Sequence, residues 1–231
     1  MKFIRRLVWR GIVVFIAVLA LYQIWLFLHI CWWVKFNPAS SAFMESRLEV
    51  LQEKNPEAVL HHKWIPYDSI SVHLKRALVA SEDAKFVDHE GFDWEGIQNA
   101  YEKNLRKGRI VAGGSTISQQ LAKNLFLSTR RSPWRKLEEA IITVMLETVM
   151  DKRRIFEIYL NIIEWGNGVF GAEAAAQHYF QVSASRLSAE QSAMLAAMVP
   201  NPRYYDTRRE APYLQRRTAL ILGNMSYTEI P

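Results

Sequence analysis

The sequence predicts a mainly α-helical domain preceded by one N-terminal transmembrane helix. Three observations predict it. Residues 11–34 form a single apolar run that only Gln23 and His29 interrupt. Beyond it, apolar residues recur at a period near 3.6 in segment after segment, with serine, proline and glycine at the boundaries. The alternation that marks half-buried strands is scarce. The 231 residues, 50% of them apolar, leave room for one span and one globular domain of about 190 residues.

A membrane span needs about 20 apolar residues, and the run at 11–34 supplies them. Lys2, Arg5, Arg6 and Arg10 precede it, which places residues 1–10 in the cytoplasm by the positive-inside rule. Trp32 and Trp33 sit where an outer aromatic belt would lie. A cleaved signal peptide has an apolar core of about 7–15 residues and a small-x-small site after it, and this run fits neither. The single cysteine, Cys31, excludes an internal disulfide and any cysteine-based zinc site. Acylation is one use for it, but an inert interfacial thiol is the plainer reading. The net charge of +6 lies partly in the N-terminal cluster, and the rest suits an anionic partner. For a tethered chain without a recognisable nucleic-acid module, a lipid-linked phosphate is the expected partner, not a nucleic acid.

Residues 35–63 read as a connecting region with a helix inside it. Phe43, Arg47, Val50 and Leu51 recur at helical spacing until Asn55-Pro56 ends the pattern. His61 and His62 are adjacent, point in different directions and have no partner at ligand spacing, so a structural role is favoured over a metal site. The globular domain is expected over 64–231. It opens with Trp64-Ile65-Pro66, a short extended piece, and a helix then carries Ile70, Leu74, Ala77 and Leu78 into Ser81-Glu82. A second helix over 94–108 carries Trp94, Ile97 and Tyr101 and ends in Arg106-Lys107-Gly108-Arg109, either a solvated basic end or a contact for anionic lipid. Ser132-Pro133 starts a third, whose stripe of Trp134, Leu137, Ile141, Val144, Met145 and Thr148 reads as core. A helix with Ile155, Ile158, Tyr159 and Ile162 follows, then an alanine-rich one near 171–180. Ser188-x-x-Gln191 caps another that stops before Pro200, and a last helix over roughly 210–222 is closed by Gly223.

Glu82 is the residue with the most chemistry around it. It lies at a helix C-terminus, where the partial negative charge should raise its pKa and suit it to act as a base. Asp83 could share that role, although neighbours on a helix point about 100° apart. Gly113-Gly114-Ser115-Thr116 offers a tight turn with backbone N–H groups and hydroxyls, and Gln119-Gln120 adds amides. Lys123, Arg131, Arg135 and Lys136 are cations for a phosphate, and Glu139 is a second acid. Making a glycosidic bond from a sugar diphosphate needs a base, positive charge for the leaving group and a frame for the sugars. Each element is weak alone. Arg135 and Glu139, four residues apart, would by default form a surface ion pair worth a few tenths of a kcal/mol. Two distant acids suggest a glycosidase about as well as a transferase.

The ordered set is more specific. Glu82–Asp93 resembles the first signature of the peptidoglycan glycosyltransferases, glycosyltransferase family 51, E-D-x-x-F-x-x-H-x-G-x-D. Gly113–Asn124 resembles the second, G-G-S-T-I-x-Q-Q-x-x-K-N, and Arg135–Glu139 the third, R-K-x-x-E. Arg154–Asn161 resembles the fourth, K/R-I-x-E-x-Y-L-N, and Leu187–Glu190 with Leu195–Pro200 the closing segment. The resemblance covers roughly residues 60–202. Class A penicillin-binding proteins carry this domain ahead of a transpeptidase; no Ser-x-x-Lys transpeptidase motif follows here, so the single-domain members are the nearer match.

The resemblance implies a lysozyme-like helical domain with a small membrane-associated jaw, drawn from the stretch between Glu82 and Gly113. It implies lipid II and the growing glycan chain as substrates, at the outer face of a bacterial inner membrane, with cell-wall synthesis or division proteins as partners. Glu82 would take the proton from the incoming 4-hydroxyl, with Glu139 as the second essential acid. Lys123 and Arg131 would hold the donor diphosphate. Ser115, Gln119, Gln120, Arg135 and Lys136 would line the cleft, and Asp83, Phe86, His89, Gly114, Thr116 and Asn124 complete the implied substrate-binding set. No cofactor is implied; a divalent cation, Mg or Mn, could assist at the diphosphate. The competing readings are a glycan-cleaving muramidase or lytic transglycosylase and a non-catalytic cell-wall scaffold.

Overall fold

The computed structural model describes residues 2–109, 113–127 and 132–231. The chain divides into two compact units, Met1–Asn37 and Pro38–Pro231. The first is a single helix, α1 (Lys2–Trp33), of 32 residues and mean hydropathy 2.5 over its apolar window. At about 1.5 Å per residue it exceeds the roughly 30 Å of a hydrocarbon core, so it is long and apolar enough to cross a bilayer.

The second unit is helical with one small sheet. α2 (Ala42–Gln52) is followed by β1 (His61–His62), α3 (Val72–Glu82), α4 (Trp94–Lys107) and α5 (Ile117–Phe126). Then come α6 (Pro133–Val149), α7 (Lys152–Ile162), β2 (Glu164–Gly166), β3 (Val169–Phe170), α8 (Ala172–Phe180), α9 (Ala189–Met198), α10 (Pro202–Asp206) and α11 (Pro212–Asn224). Side chains at the boundaries explain where these helices start. Ser71, Asp93, Thr116, Ser132, Asp151 and Ser188 each accept a backbone N–H of the first turn. Such a cap is typically worth about 1 kcal/mol. Thr116 with Gln119 and Ser188 with Gln191 form complete capping boxes. Gly108 closes α4 in the left-handed conformation, at φ +62°.

Two helix groups make the core. α3 packs on α9 and α11, and α5 packs on α2, α6 and α7. In α7, Ile155, Phe156, Ile158, Tyr159, Leu160, Asn161 and Ile162 are all buried. Burying a large apolar side chain contributes about 1.5–3 kcal/mol. The sheet has the order β1-β3-β2, with β1 and β3 parallel (His61 opposite Val169) and β2 and β3 antiparallel (Glu164 opposite Phe170). His62 binds the Asn161 carbonyl at 2.9 Å through Nε2, in keeping with a structural role for that histidine.

Three expectations are corrected. The stripe of Trp134, Leu137, Ile141 and Val144 is exposed, not core. α6 carries a second stripe, Glu139, Ile142, Thr143 and Leu146, and it is this one that is buried, in a helix that packs on α5. The stretch read as a connection is built into the domain, since α2 packs on α5 and β1 joins the sheet. Gly223 does not end the last helix. Its φ is not positive and a Cβ there would meet open space, so α11 runs on to Asn224.

Candidate active site

Glu82 is the last residue of α3. Its Oε2 accepts from Gln120 Nε2 at 2.9 Å, and its Oε1 accepts from Arg217 Nη2 of α11 at 3.3 Å. Tyr159 of α7 in turn donates its phenol to Gln120 Oε1 at 3.0 Å. The carboxyl is raised above the usual glutamate range, and the main cause is burial; Asp83 adds to it, while Gln120, Arg217 and Lys123 oppose it. The direction is the one expected from the sequence, but desolvation takes the place of the helix end as its cause.

A cavity of about 530 Å³ is lined by the same Gln120 that donates to this carboxylate; Glu82 itself stands behind Gln120 and is not part of the lining. Ser115, Gln119, Lys123 and Asn124 line it from α5 and the turn before it, and Arg135, Lys136 and Glu139 line it from α6. Glu139 is 3% exposed and pairs with Arg135 at 3.5 Å and with Lys136 at closer range. What would be a surface pair by default therefore has a buried acid at its centre. The side chain of Lys123 makes no hydrogen bond or ion pair among the described residues. Burial first, then Arg135 and Lys136, lower its pKa, against Glu139 and Glu82. A half-buried cation without a partner at a cavity is disposed to take an anion. Phe43, Glu164, Val199, Pro200 and Arg203 also line the cavity.

The sequence model of the Transglycosylase family matches residues 49–226. Curated proteins named biosynthetic peptidoglycan transglycosylase match over nearly their whole length. The one from Methylobacillus flagellatus is 65% identical over 99% of this chain and 100% of its own. That from Laribacter hongkongensis is 67% identical over 96% and 97%, and that from Chromobacterium violaceum 65% over 98% and 99%. The chain belongs to the transglycosylase family.

In this family member, several of the signature residues hold the site together instead of lining it. Asp83 spends both oxygens inside the protein: Oδ1 on His89 Nε2 at 2.9 Å, and Oδ2 on the backbone N–H of Ile117 at 2.9 Å. His89 Nδ1 accepts the Gly91 N–H at 3.1 Å, so Nε2 carries the proton and donates to Asp83. Phe86 is fully buried against Phe156, with ring centroids 5.5 Å apart. Thr116 donates to the Gly91 carbonyl at 2.7 Å and caps α5, and is 2% exposed. Asp83, Phe86, His89 and Thr116, expected to bind substrate, are placed in this clamp between the first two signatures and not among the residues lining the cavity. Gly114 serves the same joint: a Cβ there would come within 3.0 Å of the Ile97 backbone of α4.

Arg131 lies outside the described residues. Arg217, Phe43, Glu164 and Arg203 were not legible as site residues. Arg217 reaches Glu82 across 135 positions of sequence, and no local pattern marks it. As for a divalent cation, Glu139 already has both oxygens engaged by Lys136 and Arg135. No cluster of three or more His, Cys, Asp or Glu side chains able to hold a metal occurs among the described residues. This donor set does not fit a protein-held divalent ion.

Proposed function

We propose that this chain is a peptidoglycan glycosyltransferase that polymerises lipid II into β-1,4 glycan, with inversion and release of undecaprenyl diphosphate. The observation that carries the reading is that Gln120, which holds the buried carboxylate of Glu82, lines one cavity together with Lys123, a cation whose side chain has no hydrogen bond or ion pair among the described residues. The carboxylate takes the proton of the acceptor sugar's 4-hydroxyl, and the freed oxygen bonds to the donor's anomeric carbon from the opposite face. The bond from that carbon to the diphosphate breaks, and its electron pair leaves with the phosphate. Lys123, Arg135 and Lys136 meet that growing charge, which is where preorganised positive charge contributes most. Glu139 keeps Arg135 and Lys136 aligned on the cavity.

The catalytic unit works at the outer face of the bacterial cytoplasmic membrane, with residues 1–10 inside. The four cations in the first ten residues, ahead of the apolar run of α1, and the tryptophans at its other end support that orientation. Exposed Trp94, Tyr101 and Leu105 on α4 support a second membrane contact at the jaw, and exposed Trp134, Leu137, Ile141 and Val144 offer α6 as a further contact beyond it.

Incubating the detergent-purified protein with labelled lipid II tests the reaction. A polymer of disaccharide units is expected. Cleavage of preformed glycan without polymer would establish the muramidase or lytic alternative, and inertness toward both would leave a scaffold.

A further inference from the structure

Tyr159, Gln120 and Glu82 form a chain of two hydrogen bonds with a definite direction. The phenol donates to Gln120 Oε1 at 3.0 Å, and Gln120 Nε2 donates to Glu82 Oε2 at 2.9 Å. A side-chain amide has one donor end and one acceptor end, so what holds one end decides what the other presents. Turned over, Gln120 would set its carbonyl against Glu82, and two acceptors can share that contact only if the carboxyl is protonated. The phenol proton would then lose its acceptor, for Tyr159 has no other hydrogen bond from its hydroxyl among the described residues.

We propose that Tyr159 is a positioning residue that, by anchoring Gln120 Oε1, keeps an N–H donor on Glu82 and so favours the ionised form of the base. This rests on the reading of Glu82 as the base. The phenol is suited to the task because its proton stays in place: Tyr159 is fully buried, and burial together with the charges of Glu82 and Asp83 pushes its pKa well above 10. The other charged groups that act on Glu82 are Arg217 from α11, Lys123 from α5 and its neighbour Asp83, and none of them touches the phenol oxygen.

The test is the pH dependence of lipid II polymerisation by the full chain in detergent, for wild type, Tyr159→Phe, Gln120→Ala and the double variant. Losing the bias from one net hydrogen bond should move the acid limb of Tyr159→Phe upward by roughly half to one pH unit. The rate should fall about three- to tenfold below the limb and converge on wild type above it. Adding Tyr159→Phe to Gln120→Ala should move the limb no further. A uniform loss at every pH with the limb unmoved, or the same shift in the Gln120→Ala background, overturns the proposal. Thermal melts check that Tyr159→Phe, which keeps the ring, is folded; if it is not, a Gln120→Ala limb at the wild-type position is enough to overturn it. Glu82→Gln separates the two levels. If that variant polymerises normally, the base reading fails. If it is inactive while Tyr159→Phe keeps the wild-type profile, only the role of Tyr159 fails.

Discussion

Asp83 accepts the backbone N–H of Ile117 at 2.9 Å, so the residue next to the proposed base is fastened to the first turn of the helix that carries Gln120 and Lys123. Two adjacent acids thus do different work. Glu82→Gln should lose at least about 10²-fold in polymerisation, the low end for a general base, with its melting temperature unchanged or raised. Asp83→Ala should lose activity and stability together. It leaves His89 Nε2 and the Ile117 N–H without their acceptor, a loss of about 1–3 kcal/mol. Paired melts and rates of the two variants check this; an Asp83→Ala protein as stable as wild type would remove the clamp.

Lys123→Met keeps most of the stem and deletes the charge. Removing one preorganised charge on a leaving group typically costs about 10²–10³ in rate. The loss is expected in kcat/KM for lipid II, with little change in melting temperature, because burial already lowers the pKa of this amine and its side chain has no hydrogen bond or ion pair to lose among the described residues. Wild-type turnover at low substrate would return Lys123 to a structural role.

Glu164 predicts a pH-dependent stability. Burial pushes its carboxyl from the ordinary 4.5 up to about 7, against Arg203 and Arg47, each of which stands 3.4 Å away. A raised carboxyl contributes stability below its unfolded pKa and loses it as pH rises through the folded one. The window therefore runs from about 4.5 to about 7, and the size is on the order of 3 kcal/mol. Glu164→Gln lacks the titration, so its melting temperature should gain on wild type between pH 5 and pH 8. Parallel melting curves across that range would show that Glu164 is not strained.

The helices were legible because caps and 3.6-residue periods are local. Direction was not. Periodicity marks the apolar stripe of α6 and passes over the other, which mixes Glu139 and Thr143 with Ile142 and Leu146 and is the one that turns inward, with Glu139 reaching the cavity and Thr143 donating to the Glu139 carbonyl at 2.7 Å. The signatures likewise point to Glu82 and Asp83 alike, and only the packing of α3 on its neighbours separates the residue that faces Gln120 from the one that faces Ile117. α2 was read as a connection because its partner, α5, is about seventy residues further along the chain.

The exposed apolar residues of α4 and α6 make the membrane question sharp. Trp94 is 72% exposed and Trp134 80%, so neither is held by the core of the unit. Leu105, Leu137 and Val144 are exposed as well, and Arg106 and Lys107 stand in the last turn of α4. Apolar side chains with cations nearby gain from burial at the acyl boundary and from attraction to anionic headgroups together. The compact unit 38–231, freed of α1, is expected to float with anionic vesicles and to release as salt is raised. Trp94→Glu with Trp134→Glu should abolish flotation without lowering the melting temperature, because these side chains bury little in the fold. If the unit ignores vesicles, membrane contact belongs to α1 alone. If the double variant still floats, the contact lies on another face.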